Sequence, residues 1–389
     1  MNRYLLLVLT LTALSVIAVG SFNYIVDPLL LYNEKNSGVE KLSRIDQFAN
    51  MRTYKPHHVN QRRPDAIVIG SSRSGTLRPN HASWQAVSGY NFSLPGATIF
   101  ELYRAVLHAH ANHPLQRLMI GLDYAALITS QPIYRSGFES SRLARASTDF
   151  RSPAYIMRSL RDIQATLFSV DGAVQSVRAL SPAKPIIRTF QPDGSWQAAR
   201  IGLAGRGGYL YVAKTQLNAA KNSVFGSDAN LEILRQLLDF CYQNNIETKI
   251  FFTPMHAFFL DLRFQMASED LWYTTHREIV KLNTSLAHGY GRQAFDIWGF
   301  GDDSDIVAEP IYHKRQIEQA WFNDGIHYRL RLADAIMETM WGASGNIGQK
   351  LTDKNIDAYL NSAIAIKDSF IASNQQLVDD LHSKLGLDE

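Results

Sequence analysis

The stretch IVIGSSRSG, residues 67–75, runs three β-branched residues into a glycine and then into a polar corner. A short apolar run bounded by glycine reads as a strand buried on both faces, here Ala66 to Ile69. The corner that follows, Gly70-Ser71-Ser72-Arg73, places hydroxyls on a turn at the carboxyl end of that strand. In an open parallel sheet, ligands collect at that end.

Working outward, strands and helices alternate. Tyr90 to Leu94 reads as a second strand ending at Pro95-Gly96, and Leu118 to Leu122 as a third. Between them, Thr98 and Glu101 have the spacing of a capping box, which satisfies free amides at a helix start. Ile99, Leu102, Tyr103, Val106 and Leu107 recur at helical intervals behind it, and Pro114 lies just past the end. From about 126 to 226 the rhythm breaks into an insertion, with a helical piece (Tyr155 to Leu180) and a Pro/Gly-rich loop (Ser181 to Gly208). It then resumes with a helix carrying Leu234, Leu237, Leu238, Cys241 and Tyr242, a strand from Thr248 to Thr253, and a helix from Leu271 to His288. A strand from Ala294 to Trp298 and a helix from Arg329 to Trp341 complete the series. This alternation argues for an α/β domain with a mostly parallel sheet covered on both faces. Gly345 to Gly348 reads as a linker, and Thr352 to Leu385 as one or two amphipathic helices packed on the body.

The 389 residues carry 39 basic and 36 acidic side chains, a net charge of +3, with no basic block of the kind nucleic acid needs. A single cysteine, Cys241, excludes an intramolecular disulfide and a cysteine-based zinc site. Tyr4 to Val26 is uncharged throughout, between Arg3 and Asp27. As a helix it would span roughly 34 Å, enough to cross a bilayer. The expected division is therefore a membrane anchor (1–27), an α/β body (28–345) with its insertion at 126–226, and a C-terminal helical extension (346–389). The stretch YIVDPLLLY (24–32) reads as the membrane exit, where aromatics gather, and Asn33 to Arg63 as a polar stalk and the edge of the domain.

Four segments fall where a site should form: Gly70-Ser71-Ser72-Arg73, Leu94-Pro95-Gly96, Gly121-Leu122-Asp123, and Asn323-Asp324-Gly325-Ile326-His327 before the last core helix. Asp324 lies three residues before His327, so its carboxylate reaches one imidazole nitrogen and leaves the other as a base. A serine, a base, an orienting acid and glycine amides are the parts of acyl transfer through a serine ester. Ser71, Ser72 and Ser74 are all possible nucleophiles on these grounds. His256, after the strand ending at Thr253, is placed to touch substrate, as are Arg73 and Asn91. His108, His110 and His113 cannot share one helix face, so no metal is assigned, and no cofactor is expected.

These segments resemble the SGNH (GDSL-type) hydrolase superfamily, over roughly residues 65 to 342. Gly70-Ser71-Ser72 is similar to its first block and makes Ser72 the nucleophile. Gly96 falls at the oxyanion glycine of the second block, and Asp324 and His327 at the Asp-x-x-His block. The resemblance implies a three-layer α/β/α fold with a flavodoxin-like sheet, and an oxyanion hole of the Ser72 and Gly96 amides. Asp123 holds the position where that family has an asparagine donor, and an ionised carboxylate cannot donate. The anchor-plus-body layout resembles membrane-bound members that O-acylate cell-surface glycans, such as the D-alanyl transfer and alginate acetylation proteins. It implies an extracytoplasmic acyltransferase or esterase on the inner membrane, acting on an acylated polysaccharide. The alternative is a non-catalytic glycan- or carrier-binding subunit of a membrane-bound O-acyltransferase.

Overall fold

The computed structural model describes residues 3–32, 47–84, 88–129, 132–181, 188–198, 206–221, 223–312, 320–342 and 345–387. Its strands are β1 (Ala66–Ile69), β2 (Gly89–Asn91), β3 (Arg117–Leu122), β4 (Arg188–Phe190), β5 (Trp196–Ala198), β6 (Glu247–Phe252), β7 (Asp296–Gly299) and β8 (Gln349–Leu351). Six of them form one sheet in the order β2-β1-β3-β6-β7-β8. All its pairings are parallel except β7 with β8. Alternate residues enter two apolar clusters: Ile67, Ile69, Leu118, Ile120 and Ile250 on one side, Ala66, Val68, Met119 and Phe251 on the other. Burial on both faces explains why these strands read as continuous apolar runs.

The second strand, Gly89–Asn91, starts one residue earlier and stops three earlier than the expected Tyr90 to Leu94, although the Phe92 and Leu94 amides still donate to the Val68 and Gly70 carbonyls at 2.7 and 3.0 Å. The Asn91 side chain accepts from the Ser93 amide at 2.9 Å and donates to the Ser74 and Leu77 carbonyls at 2.8 Å each. The capping box forms as the spacing predicts: the Glu101 amide donates to Thr98 Oγ1 at 3.3 Å and the Thr98 amide to Glu101 Oε2 at 3.1 Å.

The helices are α1 (Arg3–Val26), α2 (Gln47–Arg62), α3 (Ile99–Asn112), α4 (Tyr124–Ile128), α5 (Pro153–Leu167), α6 (Val170–Leu180) and α7 (Arg206–Ala220). They continue with α8 (Asp228–Gln243), α9 (Ala257–Met266), α10 (Glu269–Gly289), α11 (Ser304–Val307), α12 (Leu330–Trp341), α13 (Ile356–Ser373) and α14 (Gln375–Leu385). α2 makes residues 47–62 part of the domain rather than a stalk, as the domain-edge half of that expectation has it, while 33–46 lie outside the described residues. Its Met51, Tyr54, Lys55, His58 and Val59 are buried. Arg52 grips Glu101 of the α3 cap through two 2.8 Å bonds, and Lys55 Nζ donates to the carbonyls of Asn91, Ser93 and Gly194. Many charges suggest a solvated stalk, but Arg52 and Lys55 of α2 point inward, to partners.

The segment from 346 packs on the body, as its amphipathic pattern predicts, and also adds a strand to the sheet. β8 closes the sheet edge, and Ile356, Leu360, Phe370 and Leu381 belong to the main core. Within the insertion, β4 and β5 form a small antiparallel hairpin, and α7 buries Tyr209 and Ala213 in the same core.

α1 is long and apolar enough to span a membrane or serve as a signal anchor. It is bare along most of its length, burying only Gly20, Asn23 and Val26 near its end. The chain then turns sharply: Asp27 adopts a positive φ of 43°, and its carboxylate accepts from the Leu31 and Tyr32 amides at 2.8 Å each. Leu29, Leu30 and Leu31 enter the core directly.

Candidate active site

Three parallel strands deliver the floor of one cleft. β1 ends in Gly70-Ser71-Ser72, β3 in Asp123 and β6 in Thr253, all at their carboxyl ends. Gly70 and Gly121 are required here by close approach, since a Cβ on either would collide with the Ser74 side chain wedged between the strand ends. Ser71 caps the 3-10 turn Ser72–Thr76, its Oγ accepting from the Arg73 amide at 3.2 Å and donating to Asp123 Oδ2. Ser71 and Ser74 are buried. Ser72 alone of the three is partly open, and its Oγ lies 2.9 Å from His327 Nε2.

The opposite nitrogen of that imidazole, Nδ1, faces Asp324 Oδ2 at 2.8 Å and Oδ1 at 3.0 Å. Asp324 also accepts from the His327 and Ile326 amides, at 2.9 and 3.3 Å. Burial pushes its carboxyl up, but the charge of His327 and these hydrogen bonds outweigh it, and the net shift is downward. The loop is stiffly held. The Asn323 amide donates to the His327 carbonyl at 2.8 Å, and Glu309 accepts from the amides of Ala320, Trp321 and Phe322. Gly325, at φ 86°, lies where a Cβ would strike Tyr209 and Phe259.

A cavity of about 180 Å³ opens beside Ser72, bordered by Gly96, Asp123, Arg135, Gln216 and Arg263. The Ser72 and Gly96 amides have no partner among the described residues, and Gly96 takes a positive φ of 58°. Two unengaged N–H groups beside a serine hydroxyl are what an oxyanion requires.

Asp123 is occupied on both oxygens: Oδ2 accepts from Ser71, and Oδ1 from Thr253 Oγ1 at 2.6 Å. Arg73 Nε stands 3.7 Å from Oδ2, and Arg73 also donates to Thr253 Oγ1 at 3.3 Å. Arg263, buried nearby at the cavity wall, donates to Gln216 Oε1. Burial, reinforced by the charge of Arg73 and opposed by that of Asp123, lowers the Arg263 guanidinium to about 9.

Of the other substrate-binding expectations, Arg73 lines the cleft. Asn91 and His256 do not. Asn91 is fully buried and its amide closes the 3-10 turn onto β2. His256 is also fully buried: its Nδ1 accepts from the Phe258 amide at 3.1 Å, capping α9, and its Nε2 donates to the Glu309 carbonyl at 2.8 Å. Burial depresses its imidazole to about 4, so it is neutral at ordinary pH. A histidine just past a strand end is expected to face the cleft; the turn at Pro254 sends this one into the core instead. His108, His110 and His113 take separate partners, at Pro56, Leu115 and Asp65.

No family model, curated protein or solved structure matches the chain.

Sequence reasoning missed Thr253, Gln216, Arg135 and Arg263. A signal existed for Arg263, which interrupts the otherwise apolar face of AFFLDLRFQM (257–266). Gln216 and Arg135 come from the insertion, whose register against the cleft no local pattern encodes.

Proposed function

We propose that the protein is a serine-dependent O-acyl-transfer enzyme, an acyltransferase or esterase, with Ser72 as nucleophile, His327 as base and Asp324 as its orienting acid. The observation that carries this is the relay Ser72 Oγ–His327 Nε2 at 2.9 Å and His327 Nδ1–Asp324 Oδ2 at 2.8 Å, with Ser72 open to a cleft. Ser72 Oγ attacks an ester carbonyl while His327 Nε2 takes its proton. The negative charge that develops on the carbonyl oxygen faces the Ser72 and Gly96 amides. Collapse expels the alcohol, which recovers the proton from His327, and leaves an acyl-serine. Water or a sugar hydroxyl then attacks, giving its proton to His327 and restoring Ser72.

The resemblance to the SGNH superfamily supplies the finer reading: a three-layer α/β/α body, held by α1 at the inner membrane with its cleft in the periplasm, working on O-acyl groups of a cell-surface polysaccharide. A fluorophosphonate probe applied to the full chain in detergent tests the chemistry. Label should map to Ser72 and vanish in Ser72→Ala, and drop steeply in His327→Ala. A folded protein that takes no label would overturn the reading.

Asp123 favours a second reading. Where the superfamily places a donor to the oxyanion, this chain has a carboxylate engaged with its own turn, and losing one such donor typically costs about 3–4 kcal/mol. The alternative is a non-catalytic subunit that presents a glycan or acyl carrier to a membrane-bound O-acyltransferase. Co-purification with a polytopic partner, unaffected by Ser72→Ala, together with failure to label, would establish it.

A further inference from the structure

α5 and α6 are amphipathic helices turned inside out. The side of α5 that faces the body is polar. Asp162 on it is held by Arg142 (2.7 and 2.9 Å), Arg158 (3.0 Å) and His57 (3.2 Å). Tyr155 Oη accepts from Asn60 at 2.7 Å, and Thr166 meets Tyr32. The outward side carries Ile156, Met157, Leu160 and Ile163. α6 repeats the pattern, burying Gly172, Ser176 and Ala179 while Val170 is 80% and Val177 59% exposed. Outside α1, nine of the thirteen large apolar side chains exposed among the described residues fall between Ile156 and Leu180.

A surface helix in water turns its apolar stripe inward. Here specific hydrogen bonds and ion pairs enforce the reverse, so the exposed face is held in place by its own buried partners.

What covers that face is indicated by its neighbour. The α5–α6 corner docks on the last two turns of α1: Asn23 Nδ2 donates to the Leu167 carbonyl at 2.7 Å, and Ser176 Oγ donates to Asn23 Oδ1 at 2.8 Å. Gly20 admits the Phe168 ring against the α1 backbone. From Gly20 to Asp27 is about 10 Å along a helix, so the corner meets α1 within the outermost ~10 Å of its apolar length. That is the depth at which interfacial helices lie. Charge agrees: Arg161 and Arg178 are exposed on this hairpin against Asp171 alone, as an anionic leaflet favours.

We propose that α5 and α6 are a bilayer-seated hairpin, with Met157, Leu160, Ile163, Phe168, Val174 and Val177 in the headgroup–acyl boundary of the leaflet where α1 emerges. The proposal rests on α1 being a retained membrane helix. It makes the body a two-point attachment to the membrane, by a spanning helix and by a flat apolar face beside it.

The test places an environment-sensitive fluorophore at Leu160→Cys, Val177→Cys, Leu9→Cys or Val224→Cys in a Cys241→Ala background, with one full chain per phospholipid nanodisc. Doxyl-labelled lipid should strongly quench the probes at 160 and 177, and their iodide quenching should fall at least fivefold below that at 224. Iodide access at 160 and 177 equal to that at 224, with Leu9→Cys still quenched by doxyl lipid, overturns the seated hairpin and leaves the anchor standing. Probes at 160 and 177 shielded from both quenchers also overturn it, because the face is then covered by protein. A Leu9→Cys probe untouched by doxyl lipid removes the anchor and the hairpin proposal together.

Discussion

Asp123 and Asp162 are both buried carboxylates held by arginine, and they present opposite surfaces to the outside. Asp123 ties Ser71 and Thr253 beneath a turn, and what that frees is a hydroxyl in a polar cleft. Asp162 ties Arg142, Arg158 and His57 beneath a helix, and what that frees is a row of aliphatic side chains. Burial of a charge pair is by itself weak evidence for stability. Under the two proposals the difference has a purpose: one aspartate would fix a reactive group toward a substrate ester, the other an apolar face toward a non-aqueous phase.

The comparison can be broken first at the cleft. Ser72→Ala should lower hydrolysis of an activated ester by roughly a thousand-fold or more, with the thermal unfolding midpoint unchanged. A midpoint that falls with activity would make Ser72 part of the framework. Asp162→Ala is the matching cut on the other side. It leaves Arg142 buried without its carboxylate and should cost about 3–5 kcal/mol in urea unfolding, with little effect on the initial rate of Ser72 acylation.

The same aspartate sets a pH signature. Burial alone would raise its carboxyl, but hydrogen bonds from Arg142, His57 and Arg158 outweigh this and hold it well below the usual range. Its folded-state pKa is thus depressed, so its stabilisation is complete above about pH 4, the ordinary aspartate value, and is lost as pH falls through the lower folded value. Unfolding curves of the parent and Asp162→Asn should differ most near neutrality and draw together in strong acid. A gap independent of pH would deny the carboxylate this role.

Asp123→Asn sharpens the contrast further. The substitution removes the negative charge between Arg73 and Arg263 and gives Ser71 and Thr253 one acceptor oxygen to share, so turnover should drop about tenfold, a barrier change of about 1.4 kcal/mol. An increase instead would show that the cleft lacks a side-chain donor. Smallest of all, Asn23→Leu should cost about 0.6 kcal/mol, the usual worth of a polar contact within a membrane. Faster hydrogen exchange confined to residues 167–173 would report it.

The sheet was legible because its cause is local: Ile67 to Ile69 and Leu118 to Leu122 are apolar on both faces, and glycine or aspartate ends them. The pairing of Ser72 with His327, 255 residues apart, was foreseeable because strand ends converge in a parallel sheet. Asn91 and His256 misled for a shared reason. Polar residues next to strand ends face either the cleft or the core, and a one-residue change in where the strand stops decides which. The inverted polarity of α5 was invisible, since Ile156, Leu160 and Ile163 have the same spacing whichever side of the helix is buried. Only the partners of Asp162 reveal the direction, and Arg142 and His57 are distant in sequence or on another helix.

The clasp of Asp27 on the Leu31 and Tyr32 amides has a consequence for reach. A body on a floppy leash sweeps a hemisphere, so its site meets targets at many heights and only briefly at each. Here α1 passes into the core within a few residues, and no slack separates them. With α1 seated in a bilayer and the proposed acyl transfer at Ser72, the cleft would be carried at one altitude and one tilt, and an ester-bearing polymer would have to pass it there to be modified.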